Sequence, residues 1–295
     1  MLNITFLGTG LMGAPQARCL LAAGFPVRVW NRSAAKAQAL VAHGALWAAT
    51  PVEAVSGAEV VVCMLENGEI VSEVLFDSGV AQALAPGAVV IDMSSIKPQQ
   101  ARDHASRLLE RGIHHLDAPV SGGVSAAEQG GLAIMVGGEP SVFSRVQAVL
   151  HAMGNPTLVG PHGSGQLAKL ANQIIVGINI AAVCEALQMV ARGGADPALV
   201  RQAIRGGFAQ SRVLELHGQR MIERDFTPRA RATMQLKDLD NALESASESC
   251  FQTPLTHLVR DLFADLVLRE GDVDHSALWL QFEHLNGPDI KTFSP

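Results

Sequence analysis

Residues 1–13, MLNITFLGTGLMG, run a short apolar stretch into the pattern Gly8-x-Gly10-x-x-Gly13. Residues 14–24, APQARCLLAAG, carry apolar side chains at helical spacing and stop at Gly24, and residues 26–30, PVRVW, supply a second strand signal. A glycine pattern alone is often only a strand-to-helix turn. Inside a strand–turn–helix–strand unit it reads as a dinucleotide site. Gly8 suits the tight turn, Gly10 the close approach of a pyrophosphate, and Gly13 the packing of helix on strand. Thr9, Leu11 and Met12 complete the loop, and the free N–H groups of the helix start favour an anion.

The residues after the second strand bear on which dinucleotide. An NAD-type unit places Asp or Glu about 20 residues beyond the first glycine, on the ribose hydroxyls. Here the stretch is Asn31-Arg32-Ser33, with no acid. A guanidinium flanked by short donors suits a ribose 2′-phosphate, so NADP(H) is expected over NAD(H). Ser33 also reads as the cap of a helix over SAAKAQALVAHG, residues 33–44.

Further β-branched runs follow at helix-length spacing: AEVVVCML (58–65), AVVIDMS (88–94), IHHLDAP (113–119) and GLAIMVGG (131–138). This texture predicts an α/β fold with a doubly wound, Rossmann-type parallel sheet, which binds ligands at the carboxyl ends of its strands. From about residue 164 strand signals vanish. QLAKLANQIIVGINIAAVCEALQMVARGG reads as one long helix stopped by Gly193-Gly194, and later segments keep helical period between prolines. The expected organisation is a nucleotide-binding domain over 1–162 and an all-α domain over 163–295.

Composition narrows the function classes. The chain has 295 residues, 48% of them hydrophobic, and a net charge of −6, which argues against a broad nucleic-acid surface. Cys19, Cys63, Cys184 and Cys250 stand far apart without metal spacing and are expected as buried, reduced thiols. The ten histidines form no His-x-x-x-His pair, so no metal is expected. The apolar stretch IIVGINIAAVC is interrupted by Asn179 and reads as too short to span a bilayer. Met1 runs straight into the first strand signal, which points to a cytoplasmic protein without a leader.

Two further segments carry chemistry. DAPVSGG, residues 117–123, ends a strand in a hydroxyl and paired glycines, a turn able to offer N–H groups to an anion. GPHGSGQLAKLANQ, residues 160–173, opens a helix on which Lys169, Asn172 and Gln173 stand at i, i+3 and i+4, hence on one face. A lysine on an anonymous helix is ordinarily solvated; this one follows directly on the nucleotide-binding half.

The glycine loop, DAPVSGG, the Lys-x-x-Asn helix and QLKDLDNAL (235–243) together resemble the β-hydroxyacid dehydrogenase family, essentially end to end. Within it, IDMSSI (91–96), KLANQIIVGINIAAVCEAL (169–187), IRGGFAQSRVLELHGQRMI (204–222) and DHSAL (274–278) are most similar to the tartronate semialdehyde reductase subgroup. The resemblance implies Lys169 as the catalytic residue. It implies Ser121, Gly122, Gly123, Asn172 and Gln173 as substrate contacts, and Met64, Leu65, Ser95 and Lys237 as further cofactor contacts, with Asp238 beside Lys237. A small hydroxy-acid or semialdehyde substrate and a homodimer or homotetramer follow from the same likeness. Glu66 stands where relatives carry Pro, and Gln16 and Cys19 where Met and Asn are common. Neighbouring readings are a glyoxylate or succinic semialdehyde reductase, a 3-hydroxyisobutyrate dehydrogenase and, from another class, a non-catalytic NADPH sensor. Imine reductases share the architecture but commonly lack the lysine.

Overall fold

A computed structural model of the chain describes residues 1–287. The first half alternates strands and helices: β1 (Ile4–Leu7), α1 (Gly13–Ala22), β2 (Val27–Trp30), α2 (Ala34–Gln38), β3 (Leu46–Trp47), α3 (Pro51–Ala54), β4 (Val60–Cys63), α4 (Gly68–Ser72), α5 (Val80–Ala83), β5 (Val89–Asp92) and α6 (Pro98–Leu109). It continues through β6 (His114–Asp117), β7 (Val120–Ser121), α7 (Gly123–Glu128), β8 (Leu132–Gly138), α8 (Pro140–His151) and β9 (Gly154–Gly160). The remainder is helical: α9 (Ser164–Arg192), α10 (Pro197–Ile204), α11 (Arg212–Glu223), α12 (Ala232–Glu248), α13 (Pro254–Glu270) and α14 (Leu278–Asn286). Two compact units divide between Lys169 and Leu170, within α9.

The strands form one sheet in the order β3-β2-β1-β4-β5-β6-β8-β7, with β9 paired to β8. From β3 to β6 every pairing is parallel. Their near-continuous apolar runs make sense because both faces are covered. Val60 and Val62 of β4 face one core with Ala17 and Leu20 of α1 and Val146 of α8. Val61 and Cys63 face the other with Val71, Ala101 and Leu108. Each of these valines and leucines, fully buried, stabilises by about 1.5–3 kcal/mol before entropy is counted.

The sheet departs from a purely parallel arrangement at β8, which runs antiparallel to β6 and β7. The chain leaves β6 through the two-residue β7 and the six-residue α7, and β8 returns between β6 and β7 as their antiparallel neighbour. β3, β7 and β9 are too short or too polar to stand out in the sequence. The helix expected over 33–44 is also shorter: α2 stops at Gln38 and a 3₁₀ turn over Val41–His43 follows.

Helix α9 spans 29 residues and ends in the bonds Gly194 N to Ala191 O and Ala195 N to Val190 O, a Schellman closure. The expectation that its apolar part is too short for a bilayer does not hold. Asn179 Nδ2 bonds to Ile175 O in its own helix, so the apolar run continues, and by length and composition α9 could cross a membrane. Its Ile180, Cys184 and Leu187 instead meet Leu239, Phe263 and Trp279 in the core of the helical unit. The cysteines are all free, but Cys250 is exposed and Cys19 half-buried, against the expectation of four buried thiols.

Candidate active site

In the first unit the glycine loop follows β1 as read. Gly8 has φ +99°, and a Cβ there would lie 2.3 Å from Met64 O. At Gly13 a Cβ would lie 1.9 Å from Gly8 O, whereas none of the described atoms comes within 4 Å of one at Gly10. The loop is therefore closed behind and open at its middle, the shape that admits a pyrophosphate. Leu11 is exposed and Met12 half-buried beside it. Asn31 ties this loop to the next one: Thr9 N donates to its Oδ1 at 3.0 Å, and its Nδ2 donates to Ser33 O at 3.1 Å. Arg32 and Ser33 are exposed. The Ser33 hydroxyl makes no capping bond to α2, contrary to the capping alternative. Thr9 Oγ1 is buried without a partner. An open amide loop, an orphan hydroxyl and an exposed guanidinium fit an anionic dinucleotide.

At the end of β4, Met64 and Leu65 are half-buried, Glu66 points to solvent and Leu65 N donates to Ser94 Oγ at 2.9 Å. Ser95 is half-buried between Ser94 and Ile96. That segment is held by Gln166, fully buried in the first turn of α9. Gln166 Oε1 accepts from Ile96 N at 3.1 Å and its Nε2 donates to Ser94 O at 2.9 Å.

The same helix start is clasped by Asp117, the last residue of β6. Gly163 N donates to its Oδ1 at 2.8 Å and Gln166 N to its Oδ2 at 3.0 Å. A carboxylate here meets N–H groups that the helix leaves without partners. Burial raises the Asp117 carboxyl, and these backbone bonds pull it back. One turn on, Lys169 Nζ donates to Val120 O at 2.9 Å. The ammonium thus lies at the strand that leads into half-buried Ser121 and the exposed Gly122 and Gly123, with φ +135° and +69°. A cation, a hydroxyl and a left-handed glycine turn make a setting for a small anion.

In the helical unit, Asn172 and Gln173 follow on α9. Asn172 Nδ2 donates to Gln173 Oε1 at 2.8 Å, and Gln173 Nε2 donates to Asp238 Oδ2 at 2.7 Å and Gln235 Oε1 at 3.2 Å. Lys237 Nζ sits 3.3 Å from Asp238 Oδ1. Asp117, Gln166 and Gln235 lie within the quoted segments DAPVSGG, GPHGSGQLAKLANQ and QLKDLDNAL, but their supporting roles carry no local signal; only the fold shows which groups they hold.

Histidines without ligand spacing are nevertheless gathered by folding, into His115-Asp117-His162 and His217-Asp274-His275. Neither group is read as a metal centre. Asp117 is engaged as described, and Asp274 takes Arg220, the Arg229 and Ala230 amides and Ser276. Asp92, fully buried at the end of β5, is pushed up to about 7 by burial, against the opposing bonds from Ser94.

Residues 3–163 match the model described as the NAD binding domain of 6-phosphogluconate dehydrogenase. Residues 163–280 match that of the NAD-binding domain of NADP-dependent 3-hydroxyisobutyrate dehydrogenase. The chain is 42% identical to 2-hydroxy-3-oxopropionate reductase of Escherichia coli over 280 residues, 94% of this chain and 96% of that protein. It is 36% identical to 3-hydroxyisobutyrate dehydrogenase of Pseudomonas aeruginosa, over 94% of this chain and 96% of that one. Among solved structures, Mycobacterium tuberculosis 3-hydroxyisobutyrate dehydrogenase with L-serine aligns with a TM-score of 0.87 at 31% identity, covering 96% and 99% of the two chains.

Proposed function

Because the chain belongs to the β-hydroxyacid dehydrogenase family of NAD(P)-dependent oxidoreductases, we propose that it reduces 2-hydroxy-3-oxopropanoate (tartronate semialdehyde) to D-glycerate with NADPH. The observation that carries this reading is Lys169, whose Nζ is held at Val120 O beside the Ser121-Gly122-Gly123 turn. The substrate's carboxylate would rest on the Ser121 hydroxyl and the glycine amides. When bound, the reduced nicotinamide supplies the hydride. As negative charge grows on the aldehyde oxygen, the Lys169 ammonium stabilises it and hands over its proton. Acid catalysis of this kind contributes about 10²–10⁴ in rate. In the oxidative direction neutral Lys169 takes the proton from the hydroxyl. Asn172, one helical turn from Lys169, contacts a polar group of the substrate.

NADPH is favoured by exposed Arg32 and Ser33 in place of a ribose-binding acid, and the second matched family model is described as NADP-dependent. The substrate assignment rests on the 42% identity to the E. coli reductase. Asn31 pins the glycine loop through Oδ1 and one N–H and keeps its second N–H for the cofactor. Association of copies of this chain is supported by the apolar side chains that α9 exposes, Ile175 and Met189.

The test is turnover of a panel of small aldehydes and hydroxy acids with NADPH and NADH. The highest kcat/KM is expected for 2-hydroxy-3-oxopropanoate with NADPH. A higher value for glyoxylate, succinic semialdehyde or 3-hydroxyisobutyrate would replace the substrate assignment, and no turnover of any would favour the sensor reading.

A further inference from the structure

The amide chain Asn172–Gln173–Asp238 has a direction, and that direction is set at one end. A carboxylate accepts hydrogen bonds and does not donate them. Asp238 is such an acceptor, with Lys237 Nζ 3.3 Å from its Oδ1. The Gln173 atom 2.7 Å from Asp238 Oδ2 is therefore its NH₂ group, which turns Oε1 towards Asn172. The Asn172 atom 2.8 Å from that oxygen must then be its NH₂. Amide orientation is ordinarily a matter of choice; here the anchored carboxylate removes the choice twice. Gln235 braces the arrangement, donating from Nε2 to the Gln173 carbonyl at 3.0 Å. Gly177 makes room for it, since a Cβ there would lie 2.8 Å from Gln235 Nε2.

Asn172 thus gives one N–H to Gln173 and keeps Oδ1 and its second N–H for other partners. An acceptor beside a donor matches a hydroxyl, which both donates and accepts, and opposes a methyl group, against which Oδ1 would lose its partner. We propose that Gln173 is a positioning residue that determines specificity: by holding the Asn172 amide in one orientation it selects 3-oxo acids with a hydroxyl, rather than a methyl group, on the carbon next to the carboxylate. This rests on the reading of Asn172 as a substrate contact made above. In this proposal Gln173 acts through Asn172, where the resemblance implies a direct substrate contact.

The test compares kcat/KM for 2-hydroxy- and 2-methyl-3-oxopropanoate, with NADPH, in the parent and in Gln173→Met, which keeps length and removes both polar ends. Gln173→Asn, one methylene too short to reach Asp238 from the same backbone, is the second variant should Met at this position impair folding. The parent is expected to prefer the 2-hydroxy compound. In either variant that preference should fall by about fivefold or more, the scale of one neutral hydrogen bond, with the 2-methyl substrate and the KM for NADPH changed less than about twofold. A structural role alone would depress both substrates in parallel and leave the ratio intact, and that result overturns the proposal, as does a parent that prefers the methyl compound. A parent that turns over neither aldehyde refutes the functional reading itself, and this inference with it.

Discussion

Asp117 Oδ2 accepts the backbone N–H of Gln166 at 3.0 Å, so the residue that ends β6 also fixes the first turn of the helix that carries Lys169. Asp117→Ala leaves two buried N–H groups without partners, at a cost of about 1–3 kcal/mol each. Urea unfolding should show the loss, and kcat should fall with the KM for NADPH little changed. Asp117→Asn keeps one accepting oxygen and should fall between. Unaltered kcat in the Ala variant would separate this clasp from the chemistry.

Lys169 combines a positive charge with a transferable proton, and two variants divide them. Lys169→Ala loses both; Lys169→Arg keeps the charge but does not give up a proton near neutral pH. Both should lose about 10² or more of kcat while binding NADPH normally. Substantial turnover in the Arg variant with a raised KM would assign the lysine to substrate binding instead.

Cofactor choice is expected to follow Arg32. Arg32→Asp places a carboxylate where a 2′-phosphate would lie and offers it to a ribose hydroxyl. The ratio of kcat/KM for NADPH over NADH should invert. Equal values for the two cofactors in the parent would count against the 2′-phosphate reading.

Stability should carry the mark of Asp92. Burial lifts its carboxyl to about 7 in the folded protein, so the folded state keeps a proton that the unfolded chain loses near pH 4. Stability from this group therefore falls as pH rises from about 4 to 7 and stays low above that, by on the order of 4 kcal/mol. Asp92→Asn should remove that decline in a pH series of chemical denaturation. His104 and His217, both held down to about 4 mainly by burial, act with the opposite sign, adding stability as pH rises from about 4 to 6.5. An Asp92→Asn profile parallel to the parent's would show that Asp92 titrates normally.

Light scattering at micromolar concentration should report a dimer or larger. Ile175→Glu with Met189→Glu, both on exposed positions of α9, should shift it toward monomer without unfolding. A stable parent monomer would assign the apolar character of α9 wholly to its own unit's core.

Local chemistry was enough for much of this protein. β-branched runs such as Val60–Cys63 pair because their side chains suit a sheet buried on both faces, and the period of α9 survives from Ser164 to Arg192. Gly8 and Gly13 are legible because a turn and a close backbone approach leave no room for a Cβ. The spacing of Lys169, Asn172 and Gln173 needs only the pitch of a helix. The reversal at β8, and the gathering of His115 with His162 or His217 with His275, have no local signal at all. Nor do the supporting residues. Gln166 reads as any polar helix residue until folding buries it against Ser94 and Ile96, 72 and 70 positions away. The direction of the Asn172 amide is likewise decided, through Gln173, by Asp238, 65 residues further along the chain from Gln173. Periodicity and steric exclusion act between near neighbours and are written along the chain. Hydrogen-bond polarity in a buried network belongs to groups that become neighbours only when the chain has folded.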